Sequence, residues 1–198
     1  MMKSAAYGSD TWRTQHIANV VEQRCTIQSL TPGTQSTEKN PTKEGKRRKK
    51  TVYRESKEIY YLTIAETTSR RSTCLKRHYG AVIVNGDEII STGYNGAARG
   101  EPNCCDKYEE CPRKNKEHNS GDYSDCPAVH AEMNAIISAA RKDMIGATLY
   151  LAGFDVEETH HGTDYLPINN PSPCPICMRL IRNAGIKKII TYGGTVDL

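Results

Sequence analysis

Two short segments constrain this chain more than anything else in it: Cys126-Pro127-Ala128-Val129-His130-Ala131-Glu132 and, further on, Pro173-Cys174-Pro175-Ile176-Cys177. A Cys-x-x-Cys pair at a helix start puts two sulfurs on one face, because positions i and i+3 are neighbours there. The positive end of the helix dipole stabilises those sulfurs as thiolates. With His130 they make three zinc ligands and leave the fourth tetrahedral position to water, as a hydrolytic site requires. Glu132 lies two residues beyond His130, and on a regular helix i and i+2 point apart. Both reach one metal centre only if His130 sits where the backbone is still entering the helix. Glu132 is then a base beside the water and not a ligand. Either half alone is weak. A solitary Cys-x-x-Cys also occurs as a structural zinc corner or a redox pair, but a structural zinc fills all four positions with protein ligands.

The rest of the chain must bring these segments together. Residues 1–52 are rich in Ser, Thr, Gln, Lys and Asn and end in Gly45-Lys46-Arg47-Arg48-Lys49-Lys50. They offer too little apolar surface to offset their ordering entropy. We read them as a basic, disordered N-terminal tail, with a short helix around 12–21, and the domain as residues 53–198. A helix is expected over 54–69. Gly80-Ala81-Val82-Ile83-Val84 and Glu88-Ile89-Ile90-Ser91-Thr92 flank Asn85-Gly86, a hairpin signal. Residues 93–129 read as loop. A helix over 130–140 would bury Met133, Ile136, Ile137 and Ala140 as one stripe. A strand over 147–151, a loop of about twenty residues (152–172), a helix over 175–183 stopped by Gly185 and a strand over 187–192 complete a mixed sheet covered by helices.

Charge and cysteine use narrow the function. Residues 1–55 carry eleven Lys/Arg against five Asp/Glu, and the remainder sixteen against eighteen. The basic excess therefore belongs to the tail, and the domain lacks a phosphate-tracking surface. Contact with nucleic acid is expected only through the tail, as an alternative to its being a solvated linker or a targeting address. No apolar run reaches the roughly 18–20 residues of a membrane span, and the N-terminus lacks a secretory core. The expectation is a cytoplasmic protein whose eight cysteines ligate metal and do not form disulfides.

Together the two halves form the H-x-E and P-C-x-x-C pattern of the zinc nucleobase deaminases. From about Tyr60 to Gly193 the chain resembles the deoxycytidylate deaminases of the cytidine deaminase superfamily. The stretches 72–77 (STCLKR), 80–84 (GAVIV), 93–96 (GYNG), 103–105 (NCC), 130–136 (HAEMNAI) and 183–188 (NAGIKK) carry the resemblance. It implies a three-layer α/β/α fold with a five-stranded mixed sheet and a homo-oligomer, often a hexamer. It implies hydrolysis of deoxycytidine monophosphate (dCMP) to deoxyuridine monophosphate (dUMP) and ammonia. His130, Cys174 and Cys177 would hold the catalytic Zn2+, and Glu132 would shuttle protons from water to ring N3 and to the leaving amino group.

By the same resemblance Asn95, Ala131 and Arg141 are substrate contacts, set against a turn residue at Asn95 and a solvated charge at Arg141. Some relatives carry a second, structural zinc. Cys74 and Cys104 match ligands of it, His118 and Cys126 would complete it, and Cys111 competes; free thiols are the alternative. Regulation by deoxycytidine and thymidine triphosphates (dCTP, dTTP) with Mg2+ is a further family property. The 152–172 segment departs from many relatives; it is expected to edge the pocket, with His160 and His161 exposed. Two other readings stand beside these. One is a deaminase acting on cytosine in another nucleotide or in single-stranded nucleic acid. The other is a non-catalytic zinc protein that binds nucleotides.

Overall fold

The computed structural model describes residues 54–117 and 123–198. The basic tail and His118 lie outside the described residues. Helix α1 (Lys57–Ser69) starts three residues later than the sequence suggests, because Ser56 caps it: the Ser56 hydroxyl accepts from the Ile59 N–H at 3.3 Å. Strands β1 (Arg77–Asn85) and β2 (Glu88–Tyr94) form the expected antiparallel hairpin. The strand runs through Asn85, and the two-residue turn is Gly86-Asp87, both at positive φ. That is the twist-matched hairpin turn, displaced by one residue from the Asn-Gly pair.

A minimal two-stranded ladder, β3 (Gly96–Ala97) with β4 (Ala128–Val129), closes the segment read as loop. It encloses a single turn, α2 (Cys104–Lys107). Helices α3 (Ala131–Ile137) and α4 (Arg141–Met144) follow, then strands β5 (Thr148–Thr159) and β6 (Gly162–Pro167). Helix α5 (Pro175–Ala184) ends at Gly185 in the left-handed conformation, φ 89°. Strands β7 (Lys188–Thr191) and β8 (Gly194–Asp197) complete the chain.

The main sheet runs β2-β1-β5-β7-β8, with β5 and β7 parallel and the other pairs antiparallel. These five strands are the mixed sheet the resemblance implies. A sixth strand corrects the expected twenty-residue loop: β5 continues to Thr159, turns, and pairs with β6 from Phe154 to Thr159. The charged sequence of this arm hides the strand, since β6 is exposed along its whole length.

Alternation sorts the core onto two faces. Val82, Val84, Tyr150, Ala152 and Ile190 pack against Tyr61, Leu62 and Ala65 of α1. Ala81, Ile83, Leu149, Leu151 and Ile189 pack against Ala131 and Ala135 of α3 and Ile181 and Ala184 of α5. The fold is thus a three-layer α/β/α sandwich. Among the described residues no helix is long and apolar enough to cross a membrane.

The expected stripe on α3 is wrong in phase. Ala131, Glu132 and Ala135 are buried, whereas Ile137 is 77 % exposed. The cause is Gly93 on β2: a Cβ there would lie 2.2 Å from the Ala131 carbonyl oxygen and 2.3 Å from the Ala135 nitrogen. The helix lies so close to the strand that only its alanine face fits, and the larger side chains turn to the flanks.

Candidate active site

His130 is the N-cap of α3. Its backbone is extended (φ −71°, ψ 155°), and the helix opens at Ala131. The imidazole is therefore free of the helical phase that would separate it from Glu132. Cys174 is the N-cap of α5, with Pro175 at the first helical position, where its fixed φ suits the helix. The Cys174 sulfur accepts from the Cys177 N–H at 3.4 Å, so one atom both caps the helix and faces the cluster.

The His130 Nδ1 lies 3.5 Å from the Cys174 sulfur and 3.4 Å from the Cys177 sulfur. Among the described residues these three are the one group of metal-ligating side chains whose ligand atoms all lie within 4.8 Å of one another. Zinc bond lengths of about 2.3 Å to sulfur and 2.0–2.1 Å to nitrogen imply a ligand separation of roughly 3.6 Å at a tetrahedral angle. The donor set fits zinc in both chemistry and spacing.

The four groups of the cluster perturb one another strongly. The hydrogen bond from Cys177, followed by those from His130 and the helix backbone, pulls the Cys174 thiol down to about 3. The same contact and burial push Cys177 up. His130 is raised chiefly by its hydrogen bond with Cys174. Glu132 is 5 % exposed, and burial foremost pushes its carboxyl above the ordinary range.

His130, Glu132 and Cys174 line one cavity, whose walls come from four other segments, and Cys177 is buried behind them. Arg77 and Tyr79 enter from β1, Asn95 from the end of β2, Arg113 and Tyr123 from the segment after α2, and Ser172 from the approach to α5. Tyr123 stands edge-on to the His130 ring at 5.1 Å, and the Arg113 guanidinium lies 4.3 Å above Tyr123. Burial pushes the Tyr79 hydroxyl up to about 12.

The other expected site residues divide. Ala131 is fully buried and lines the cavity. Asn95 lines it too, but its amide is already engaged: Oδ1 accepts from the Tyr79 N–H at 2.7 Å and Nδ2 donates to the Arg77 carbonyl at 2.8 Å. Arg141 is not among the residues lining the cavity; its Nε donates to the Asn183 carbonyl at 3.1 Å. Cys74, Cys111 and Cys126 border the cavity, and Cys104 is buried beneath. Burial first, then the neighbouring thiols of Cys111 and Cys126, raises Cys74. Cys104 is raised to about 11, by burial and then by Cys74, Cys126 and Cys111. His160 and His161 are exposed at the tip of the β5–β6 arm. Sequence reasoning missed Arg77, Tyr79, Arg113 and Tyr123. One signal for the first two was present, since they share the parity of Ala81 and Ile83.

A helix-covered mixed sheet with a His-Cys-Cys cluster beside a buried glutamate defines a cytidine deaminase-like protein with a candidate zinc centre. Residues 55–193 match the family model described as the cytidine and deoxycytidylate deaminase zinc-binding region, and the chain belongs to that family. It is similar to the deoxycytidylate deaminase of Mycobacterium phage D29, 36% identical over 66% of this chain and 90% of that one. It is also similar to the deoxycytidylate deaminase of Schizosaccharomyces pombe, 32% identical over 71% of this chain, but it spans only 38% of that protein's length. A solved dCMP deaminase from the cyanophage S-TIM5, in complex with dCMP and dUMP, is 26% identical over 70% of this chain and 83% of that one, with a TM-score of 0.47.

Proposed function

We propose that this chain is a zinc-dependent hydrolase that converts dCMP to dUMP and ammonia. One observation carries the reading: the buried Glu132 carboxyl lines a cavity together with His130 and Cys174, whose donor atoms converge with the buried Cys177 sulfur behind them. The curated relatives named deoxycytidylate deaminase support the substrate. His130, Cys174 and Cys177 hold the metal. Zinc, when bound there, lowers the pKa of water enough to supply a nucleophile near neutral pH.

The chain's own residues do the rest. Glu132 takes the proton from the attacking water and delivers it to ring N3 as the nucleophile adds to C4. It then takes the proton of the C4 hydroxyl and passes it to the exocyclic amino group, so that the C4–N bond breaks, ammonia leaves and the C4 carbonyl forms. Tyr123 packs against His130, and Ala131 leaves room for the ring beside Glu132.

Residues 53–198 form the deaminase domain in this reading, and 1–52 a basic appendage, the only part fitted to nucleic acid. A second, structural zinc would be held by Cys74, Cys104, His118 and Cys126, with Cys111 competing as a ligand; among the described residues the four thiols form no group of three with sulfurs within 4.8 Å of one another. Asn95 borders the cavity and is read as shaping the substrate side through the β1 backbone its amide holds; Arg141, which lies outside the cavity lining, is read as a substrate contact on the resemblance alone. Exposed Ile137, Ile176 and Leu180 on α3 and α5 support a homo-oligomer, a hexamer in this reading. Cytoplasmic location and control by dCTP and dTTP with Mg2+ complete the proposal.

The test incubates the zinc-loaded chain with dCMP, cytidine monophosphate, deoxycytidine, dCTP and a cytosine-containing oligonucleotide, and measures ammonia from each. Preference for dCMP is the expected result; preference for the oligonucleotide would replace the substrate. Two zinc ions per chain by metal analysis are expected, and one would remove the second site.

A further inference from the structure

The face of β1 that packs against α3 does not end with the core. Ile83 stands opposite Leu149 and Ala81 opposite Leu151, all buried. Successive pairs on the same face are Tyr79 opposite Gly153 and Arg77 opposite Asp155. The ladder thus passes from aliphatic to aromatic to ionic as it enters the cavity that holds Glu132.

Each step has a physical reason. A Cβ at Gly153 would lie 2.6 Å from the Tyr79 ring, so the absent side chain lets that ring lie across β5. The next pair is an ion pair: Arg77 Nε donates to the Asp155 carboxylate at 2.6 Å. Asp155 belongs to the part of β5 that continues into the arm, and the Val156 N–H donates to the Lys76 carbonyl at 3.0 Å. The backbone bearing Arg77 and Tyr79 is clamped from the other side by the Asn95 amide.

We infer that Arg77, oriented by Asp155, reads the 5′-phosphate of the nucleotide and so makes the enzyme prefer a monophosphate to the bare nucleoside. The inference rests on the proposed cytosine deamination and deepens it. A cytosine engaged by Glu132 carries its sugar and phosphate away from the metal ligands. Along β1 the next group beyond the Tyr79 ring is the Arg77 guanidinium. Asp155 holds the Nε side of that fork and the Tyr79 hydroxyl engages the same side chain; of the five guanidinium N–H donors, others remain for a dianion. Held in this way, the guanidinium is pre-organised, and less entropy is lost when phosphate binds. Asp155 is a positioning residue. Asn95 acts on the phosphate side of the site through the strand it clamps.

The experiment uses the full zinc-loaded chain and the variants R77Q, R77K and D155N. KM and kcat are measured for dCMP and deoxycytidine, and equilibrium binding for dUMP and deoxyuridine. R77Q should lower kcat/KM for dCMP at least roughly tenfold more than for deoxycytidine, with the change in KM. It should also erase most of the advantage of dUMP over deoxyuridine in binding. D155N should fall between R77Q and wild type, with R77K rescuing part of the phosphate preference. Equal losses on nucleotide and nucleoside, or an unchanged preference, would overturn the inference. Binding separates the two readings. If the wild type deaminates nothing yet loses dUMP binding in R77Q, the phosphate site stands and the reaction falls. If the wild type binds dUMP no better than deoxyuridine, the phosphate site falls whatever the turnover.

Discussion

Glu132 is a carboxyl with almost no contact with bulk water, held beside the three side chains that could hold a metal ion. Replacing it with Gln keeps its shape and removes its ability to move a proton. Glu132→Gln should bind zinc as the wild type does and lose turnover by about 10²–10⁴-fold, the usual range for a general acid–base. Ammonia release and metal analysis on one preparation check both halves. Asn95 makes a different case. Its side chain satisfies one N–H and one C=O of β1, so Asn95→Ala should cost about 1–3 kcal/mol in urea unfolding. His130, Glu132, Cys174 and Cys177 could be picked out from the sequence because metal chemistry demands fixed residue types at fixed spacings. Arg77, Tyr79, Arg113 and Tyr123 come from separate segments, and nothing in a linear chain reports that β1 and the segment after α2 share a cavity.

The elements carry their own lesson in how closely they approach. Gly93 leaves no room for a methyl between β2 and α3. Gly93→Ala must push the helix that begins beside His130 and bears Glu132. The expected outcome is a loss of stability of several kcal/mol, beyond the usual 1–3 kcal/mol of overpacking, together with reduced kcat; thermal unfolding and steady-state kinetics check it. Helix α5, the β1–β2 hairpin and the core strands were legible because capping, turn chemistry and β-branched runs agree there. The α3 stripe was misread because periodicity gives a helix's apolar side but not how near its neighbour lies. The β6 strand was missed because its residues face solvent and lack alternation. Thr159-His160-His161-Gly162 between Phe154-Asp155-Val156 and Tyr165-Leu166 was the available hairpin signal.

At the scale of the whole molecule, the His130 and Cys174/Cys177 donors tie two helices of one layer together at their starting ends. Removing zinc with a strong chelator should abolish turnover and lower the unfolding temperature, and returning zinc should restore both. Calorimetry across a series of free zinc concentrations should show the temperature rising with the logarithm of zinc, as mass action requires. An apparent unfolding temperature indifferent to zinc would separate the metal from the fold. The Cys174 sulfur, which caps α5 while facing the cluster, would make this linkage direct, since one atom would both ligate the metal and secure the helix. A cell short of zinc would then not accumulate idle enzyme. It would hold a less durable chain, more readily unfolded and degraded, and the amount of deaminase would follow the metal supply without any dedicated sensor.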